Sequence, residues 1–193
     1  WQAEPGTSVH STSMAGILPD GRHALLTGRG GGHQPPEEPY GLSLVDASNG
    51  KSIWDCAIQG YAAAQNANWS TKTAHFFLGQ EHRSIEIGTG KRLSAVSLTE
   101  GVTVTRWKDG QYLTLENQSL PKARKPITYF TNVLVGDYHY FRSFSQFLIG
   151  RVNLRNGKVE YLQVPPQVVR NPGRPDEKLW VKSLPNDMKN ADG

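Results

Sequence analysis

The segment from Gly41 to Trp54 constrains this chain more than any other stretch. Leu42, Leu44 and the Val45-Asp46 pair form an extended run, Ala47-Ser48-Asn49-Gly50 supplies a turn, and Lys51 to Trp54 begins a return strand. Asn-Gly is a strong hairpin signal, because both residues tolerate the positive φ that a tight turn matched to strand twist requires. Weaker copies of the hairpin follow around Gly90 and Gly157. Gly50 and Gly90 lie 40 residues apart, and Gly90 and Gly157 lie 67 apart.

Strand and turn signals alternate between these hairpins. Met14 to Leu18, Pro19-Asp20-Gly21 and His23 to Thr27 read as strand, turn and strand, and the Gly-rich, Pro-rich stretch from Gly28 to Tyr40 reads as a long loop. Asn68 to Ser70 and Ala74 to Leu78 read as strands, with Gly79 to His82 as a loop. Asp109-Gly110 and Gly136-Asp137 mark further hairpins, the second leading into Tyr138 to Phe144. Alternation there predicts a core face and an inter-blade face. Helical periodicity is absent or very short. A repeat near 40 residues with four short strands per unit predicts propeller blades. The expected fold is all-β, a portion of a β-propeller with about three to four blades of four-stranded antiparallel sheet. The longer second interval predicts an inserted hairpin or an incomplete extra blade. Residues 1–164 are assigned to the blades, as part of a larger ring, and residues 165–193 to a Pro-rich extended tail in which Leu179-Trp180-Val181 forms a terminal strand.

The three hairpins align on Asp46/Gly50/Trp54, Glu86/Gly90/Ser94 and Asn153/Gly157/Tyr161. The first resembles the repeat of pyrroloquinoline-quinone (PQQ)-type propellers, in which an Asp, a Gly four residues on and a Trp eight residues on recur. The resemblance implies that Trp54 packs between adjacent blades and that Gly50 permits the tight turn. The second copy keeps Gly90 but has Ser94 where the Trp would dock. The third keeps Gly157, with Asn153 and Tyr161 as approximate substitutes. Catalytic members of the family hold PQQ and calcium on the propeller axis, and alcohol-oxidising members often carry adjacent cysteines. This chain has one cysteine. Its resemblance to the non-catalytic members, scaffolds in the bacterial cell envelope, implies a periplasmic or otherwise extracytoplasmic location and no cofactor.

Charge and cysteine usage narrow the classes further. The balance of 21 basic against 17 acidic residues gives a net charge of +4, with Lys122-Ala123-Arg124-Lys125 as the main basic cluster. One such cluster reads as a solvated loop, and no nucleic-acid partner is expected. The single Cys56 excludes an intramolecular disulfide and any CxxC motif, and its position near Trp54 predicts a buried strand residue. No apolar run approaches the roughly 20 residues of a spanning helix. The opening residues do not read as a signal peptide, and a chain that starts at Trp1 is read as processed or excised from a longer one.

The loop Arg29 to Tyr40 supplies the candidate ligand-binding residues. Arg29 can pair with an anion, His33 can ligate a metal or shuttle a proton, and Glu37 or Glu38 can bind a cation, with Tyr40 beside them. The loop is not a P-loop, since no Gly-Lys-Ser/Thr follows. The six histidines show no metal-ligand spacing within one element, and no nucleophile elbow is present, so no catalytic residue is assigned. Asn68-Trp69-Ser70 and Asn117-Gln118-Ser119 fit the glycosylation acceptor pattern. Trp69, Tyr129, Tyr138, Tyr140 and Phe141 are aromatic candidates for stacking on sugars or partner side chains.

The function expected from these features is a non-catalytic propeller module that binds protein partners, or further blades of the same propeller, through its loops. The alternatives are a fragment of a PQQ-dependent oxidoreductase acting on alcohols or sugars, with PQQ and calcium bound, and a carbohydrate-binding propeller.

Overall fold

The computed structural model describes residues 13–31, 37–59, 67–120, 132–142, 148–163, 168–171 and 174–180, with the backbone path alone at Glu37 and in the last two segments. The chain forms two compact units, Trp1–Val96 and Ser97–Gly193. Among the described residues there is no helix. The protein is all-β and contains four-stranded antiparallel meanders of the kind that form propeller blades.

The first unit holds two such blades. Strands β1 (Met14–Ile17), β2 (His23–Gly31), β3 (Glu37–Asp46) and β4 (Ser52–Ala57) form one sheet in chain order. Strands β5 (Asn68–Trp69), β6 (Thr73–Leu78), β7 (Glu81–Glu86) and β8 (Arg92–Ser97) form the other. Leu26, Leu42, Leu44, Trp54 and Cys56 of the first blade share one apolar cluster with Ala74, Phe76, Ile85 and Ile87 of the second. Cys56 is thus a buried core residue, as its strand position predicted. Trp69 packs against this cluster and lies over Gly16, where a Cβ would stand 2.9 Å from its ring.

The second unit contains a third meander with an addition. Strands β9 (Val102–Lys108) and β10 (Gln111–Gln118) form a hairpin, and β11 (Asn132–Val135), β12 (Tyr138–Arg142), β13 (Leu148–Asn153) and β14 (Val159–Gln163) form the meander. The hairpin joins the outer edge of the meander, with β9 running parallel to β14, to make a six-stranded sheet in the order β10-β9-β14-β13-β12-β11. The stretched interval before Gly157 therefore contains an inserted hairpin. Strands β15 (Val168–Asn171) and β16 (Arg174–Trp180), in the stretch read as a tail, pair with each other in a separate two-stranded sheet.

The repeated hairpin has one local geometry in all three blades. Gly50, Gly90 and Gly157 have φ of 77°, 73° and 73°. Each amide N–H donates to the carbonyl of the residue four positions earlier, Asp46, Glu86 or Asn153, at 2.8–2.9 Å. The amide of that earlier residue donates to Lys51, Lys91 or Lys158, which follows each glycine, also at 2.8–2.9 Å. Side chains cap the first and third turns: Ser48 N–H donates to Asp46 Oδ1 at 2.8 Å, and Arg155 N–H to Asn153 Oδ1 at 2.9 Å. A short polar side chain followed by a glycine free to adopt positive φ is what this turn needs.

Two segments read as loops are strands. Arg29 to Gly31 continue β2 and Glu37 to Tyr40 open β3, with Gly31 opposite Glu37 across a bulge. Glycine serves close backbone approach here: a Cβ on Gly41 would stand 2.1 Å from the Cys56 carbonyl oxygen. Glu81 and His82, placed in a loop by the sequence, open β7, and His82 is buried. The segments 61–66 and 121–131, with the basic cluster and Tyr129, lie outside the described residues.

Candidate functional site

Of the loop residues singled out in the sequence, Arg29, Tyr40 and the exposed Glu38 are those whose side chains are described. Arg29 lies on β2 opposite Gly41, so Tyr40, one residue earlier on β3, points to the other face of the blade. Arg29 Nη1 meets Asp55 Oδ1 at 2.5 Å, and Ser43 and Ser52 hydroxyls donate to the same carboxylate at 2.5 and 2.9 Å. Burial pushes the Asp55 carboxyl up, but the hydrogen bonds from Ser43, Ser52 and Arg29 outweigh it and hold the group below its ordinary value. The cluster is a polar patch on one face of the first blade, tied together through Arg29 Nη1, Ser43, Ser52 and Asp55. The Tyr40 carbonyl accepts from Ile58 N–H at 3.2 Å. His33 lies outside the described residues, and of Glu37 only the backbone, paired with Gly31, is placed.

The repeat residues lie at a blade junction and a core. Trp54 is 8% exposed, and its Nε1–H donates to the Ile87 carbonyl of the next blade at 2.7 Å. Its ring covers the turn of the second hairpin, where a Cβ on Gly90 would stand 2.9 Å away. Ser94 instead shares a hydrogen bond with Ser84 at 2.6 Å. Tyr161 is buried edge-on against Phe141, and its hydroxyl donates to the Leu98 carbonyl at 2.7 Å. Burial pushes its phenol pKa well above the ordinary value.

Two scattered histidines do meet. His75 on β6 and His82 on β7 stack with ring centroids 5.4 Å apart and planes 19° apart, and Phe77 meets His82 edge-on. Burial lowers the His75 pKa from 6.5 to about 4. Burial, together with the His75 charge, lowers that of His82 to about 3. Both rings are therefore neutral at pH 7. His139 is fully buried in the second unit and bonds Asn132 Oδ1 through Nε2 at 2.7 Å. Among the described residues no group of three His, Cys, Asp or Glu side chains is arranged to hold a metal.

The most exposed apolar surface lies elsewhere, on the six-stranded sheet. Register places Thr105, Leu162, Ile149 and Arg142 in one row and Thr103, Glu160, Arg151, Tyr140 and Val133 in the next, all on one face. Trp107 and Tyr112 extend that face along the β9–β10 hairpin, and Val135 and Tyr138 extend it along β11 and β12. The opposite face carries Val102, Val104, Phe141, Val152, Val159 and Tyr161 and is core. Of nine exposed large hydrophobics among the described residues, six lie on the open face: Trp107, Tyr112, Val133, Val135, Ile149 and Leu162. That concentration on one face is more than scattered surface hydrophobes produce.

Polar groups order the middle of this face. Arg151 Nε donates to Glu160 at 2.7 Å, and its guanidinium lies 4.4 Å from the Tyr138 ring centroid. Lys158 Nζ stands 3.9 Å from Glu116 and 3.8 Å from Glu160, and the Thr105 and Thr114 hydroxyls bond at 3.0 Å. Tyr140 and Ile149 flank a shallow concavity of about 480 Å³ above these groups. At the hairpin, Trp107 and Tyr112 pack edge to face at 4.9 Å. Of the aromatic candidates, Tyr138 and Tyr140 lie on this face, half-buried, while Phe141 is core. The Tyr138–Tyr140 alternation shows the period; the face it serves follows only from the register of all six strands.

Of the two glycosylation triplets, Asn68 is half-buried on β5, whereas Asn117 is exposed at a bulge with φ of 52°. No helix among the described residues is long and apolar enough to cross a membrane.

No protein-family model and no curated protein matches this chain. Among solved structures it is similar to BamB from Moraxella catarrhalis, at 14% identity and a TM-score of 0.38, over 79% of this chain and 50% of that one. The chain thus spans about half the length of that structure.

Proposed function

We propose that this chain is part of a non-catalytic PQQ-like propeller that acts as a protein-binding scaffold outside the cytoplasm. The observation that carries the binding role is the open face of the six-stranded sheet, where six exposed hydrophobic side chains surround an ordered Arg151–Glu160 pair. Aromatic and aliphatic anchors around a few fixed polar groups are what a protein interface uses, and Trp, Tyr and Arg are the side chains that most often dominate its energy. The PQQ-like assignment rests on the Asp46/Gly50/Trp54 hairpin and on the docking of Trp54 over Gly90, as the resemblance implies. The extracytoplasmic location rests on the same resemblance. The face is rigid, because strands in a six-stranded sheet hold its residues, and rigid presentation limits the entropy lost on binding.

The reading predicts that a photo-crosslinking side chain at Ile149 captures a discrete protein, whereas the same group at exposed Leu93 on β8 does not. Equal adducts from both positions, or none from Ile149, would reject it. Saturable binding of PQQ with calcium, accompanied by dye-linked oxidation of an alcohol or sugar, would replace it with the oxidoreductase reading.

A further inference from the structure

We infer that Asn49 and Asn156 are modification sites: each deamidates when its hairpin opens, and the folded turn holds the reaction shut. This goes beyond the scaffold role and does not rest on it, because the chemistry belongs to the repeat turns and not to the open face. Both asparagines are exposed and each precedes a glycine, Gly50 or Gly157. The glycine lacks the Cβ that would crowd its amide nitrogen, and asparagine is a thermolabile residue.

The reaction needs only water. The Gly50 amide nitrogen gives its proton to a solvent base and attacks the Asn49 side-chain carbonyl carbon. A cyclic imide closes through the new C–N bond as the bond to the side-chain nitrogen breaks. That nitrogen takes up a proton and leaves as ammonia. Water then adds to one of the two ring carbonyls and opens the ring. One opening gives aspartate, and the other gives isoaspartate, in which the main chain runs through the former side chain. Asn156 and Gly157 stand in the same relation.

The folded turn engages both reacting groups. Gly50 N–H donates to the Asp46 carbonyl at 2.9 Å, and Gly157 N–H to the Asn153 carbonyl at 2.8 Å. Attack removes that proton and, with it, the bond that closes the turn. Asn49 Oδ1 accepts from Lys51 N–H at 2.9 Å, and Asn156 Oδ1 from Lys158 N–H at 2.9 Å, so the side-chain carbonyl is fixed as well. The second hairpin shows what the turn itself requires. There Thr89 takes the asparagine position, and its Oγ1 accepts from Lys91 N–H at 3.2 Å while Gly90 N–H donates to Glu86 at 2.9 Å. The position needs an acceptor rather than an amide, so asparagine brings a reactivity the turn does not use. Isoaspartate lengthens the main chain between Asp46 and Lys51, whose backbone bond of 2.9 Å fits the native length. A hairpin that opens and reacts in this way does not reclose in register. Asn49 lies in the first unit and Asn156 in the second, so each site reports the opening of its own unit.

Peptide mapping by mass spectrometry tests this on the 193-residue chain held in mildly alkaline buffer, with and without unfolding urea. Conversion at Asn49 and Asn156 is expected to be about tenfold or more slower in the folded chain, because a reaction of the open state tracks how rarely that state is visited. The unmodified chain loses refolding yield with time spent in urea. The double variant Asn49→Thr and Asn156→Thr, which keeps the acceptor as Thr89 does, holds its yield constant. Equal rates in the folded and unfolded chain, or no conversion at either site in urea, overturns the inference. So does a yield that falls equally in the double variant, or one that stays constant in the unmodified chain. Should the double variant fail to fold, the unmodified chain in sub-denaturing urea decides. Conversion at Asn49 then rises in step with hydrogen exchange of the Gly50 amide, and conversion independent of that exchange overturns the inference.

Discussion

The junction between the two blades of the first unit and the open face of the six-stranded sheet are both sheet surfaces of similar make, yet they have opposite fates. At the junction Trp54 fills the space between blades, donates to Ile87 and rests on a turn where only glycine fits. The cluster around it is apolar. On the open face the apolar side chains stay exposed and alternate with Arg151, Glu160, Thr105 and Thr114, whose polar groups are satisfied among themselves. The difference teaches that blade sequence alone does not make a surface an internal junction. An uninterrupted apolar stripe with one large ring commits a face to burial against the next blade. A face whose centre is an ion pair and hydroxyls remains compatible with water and keeps its apolar side chains available to a partner.

The largest expected effect breaks the junction. Trp54→Ala removes a buried ring and its hydrogen bond and is expected to cost about 3–5 kcal/mol in urea unfolding. Trp54→Phe keeps most of the packing but leaves the Ile87 carbonyl without its donor, at about 1–3 kcal/mol. Next comes Gly90→Ala, which places a Cβ against the Trp54 ring and forces a left-handed φ of 73° on alanine. The expected loss is about 1–3 kcal/mol by the same measurement.

Acid should act on the first unit through its stacked histidines. Folding lowers both pKa values from 6.5, to about 4 for His75 and about 3 for His82. Below pH 6.5 the unfolded chain takes up protons that the native rings refuse, so the stability they contribute is complete above that pH. It is lost progressively as the pH falls, through about 4 for His75 and about 3 for His82. The slope of unfolding free energy against pH over that window checks this, and His82→Phe should flatten it. The smallest effect is on the open face. Arg151→Ala breaks a pair whose side chains are 39% and 28% exposed, and should change stability by less than about 1 kcal/mol.

What the sequence made legible was local. Asn49-Gly50, Gly90 and Gly157 announced three turns because a turn's φ requirement is met by the residues in it. Trp54 and Cys56 announced a buried strand through alternation. The Gly-rich stretch after Gly28 misled, since the same residues that free a loop also let strands approach closely. Only the position of the Cys56 carbonyl beside Gly41 distinguishes the two. The hairpin β9–β10 was visible, but its parallel attachment to β14 pairs Thr103 with Glu160, far apart in sequence and with no local signature. The candidate face escaped for the same reason. Trp107, Ile149, Leu162 and Val133 lie on four strands, and nothing before register shows that they share a surface.

The most direct test separates binding from folding on that face. A photo-crosslinker at Tyr140 reports partner capture, and the double substitution Ile149→Arg and Leu162→Arg removes two exposed apolar contacts beside it. The scaffold account predicts that the protein adduct disappears while the urea midpoint stays where it was. An adduct that persists at full yield with both arginines in place would contradict the account.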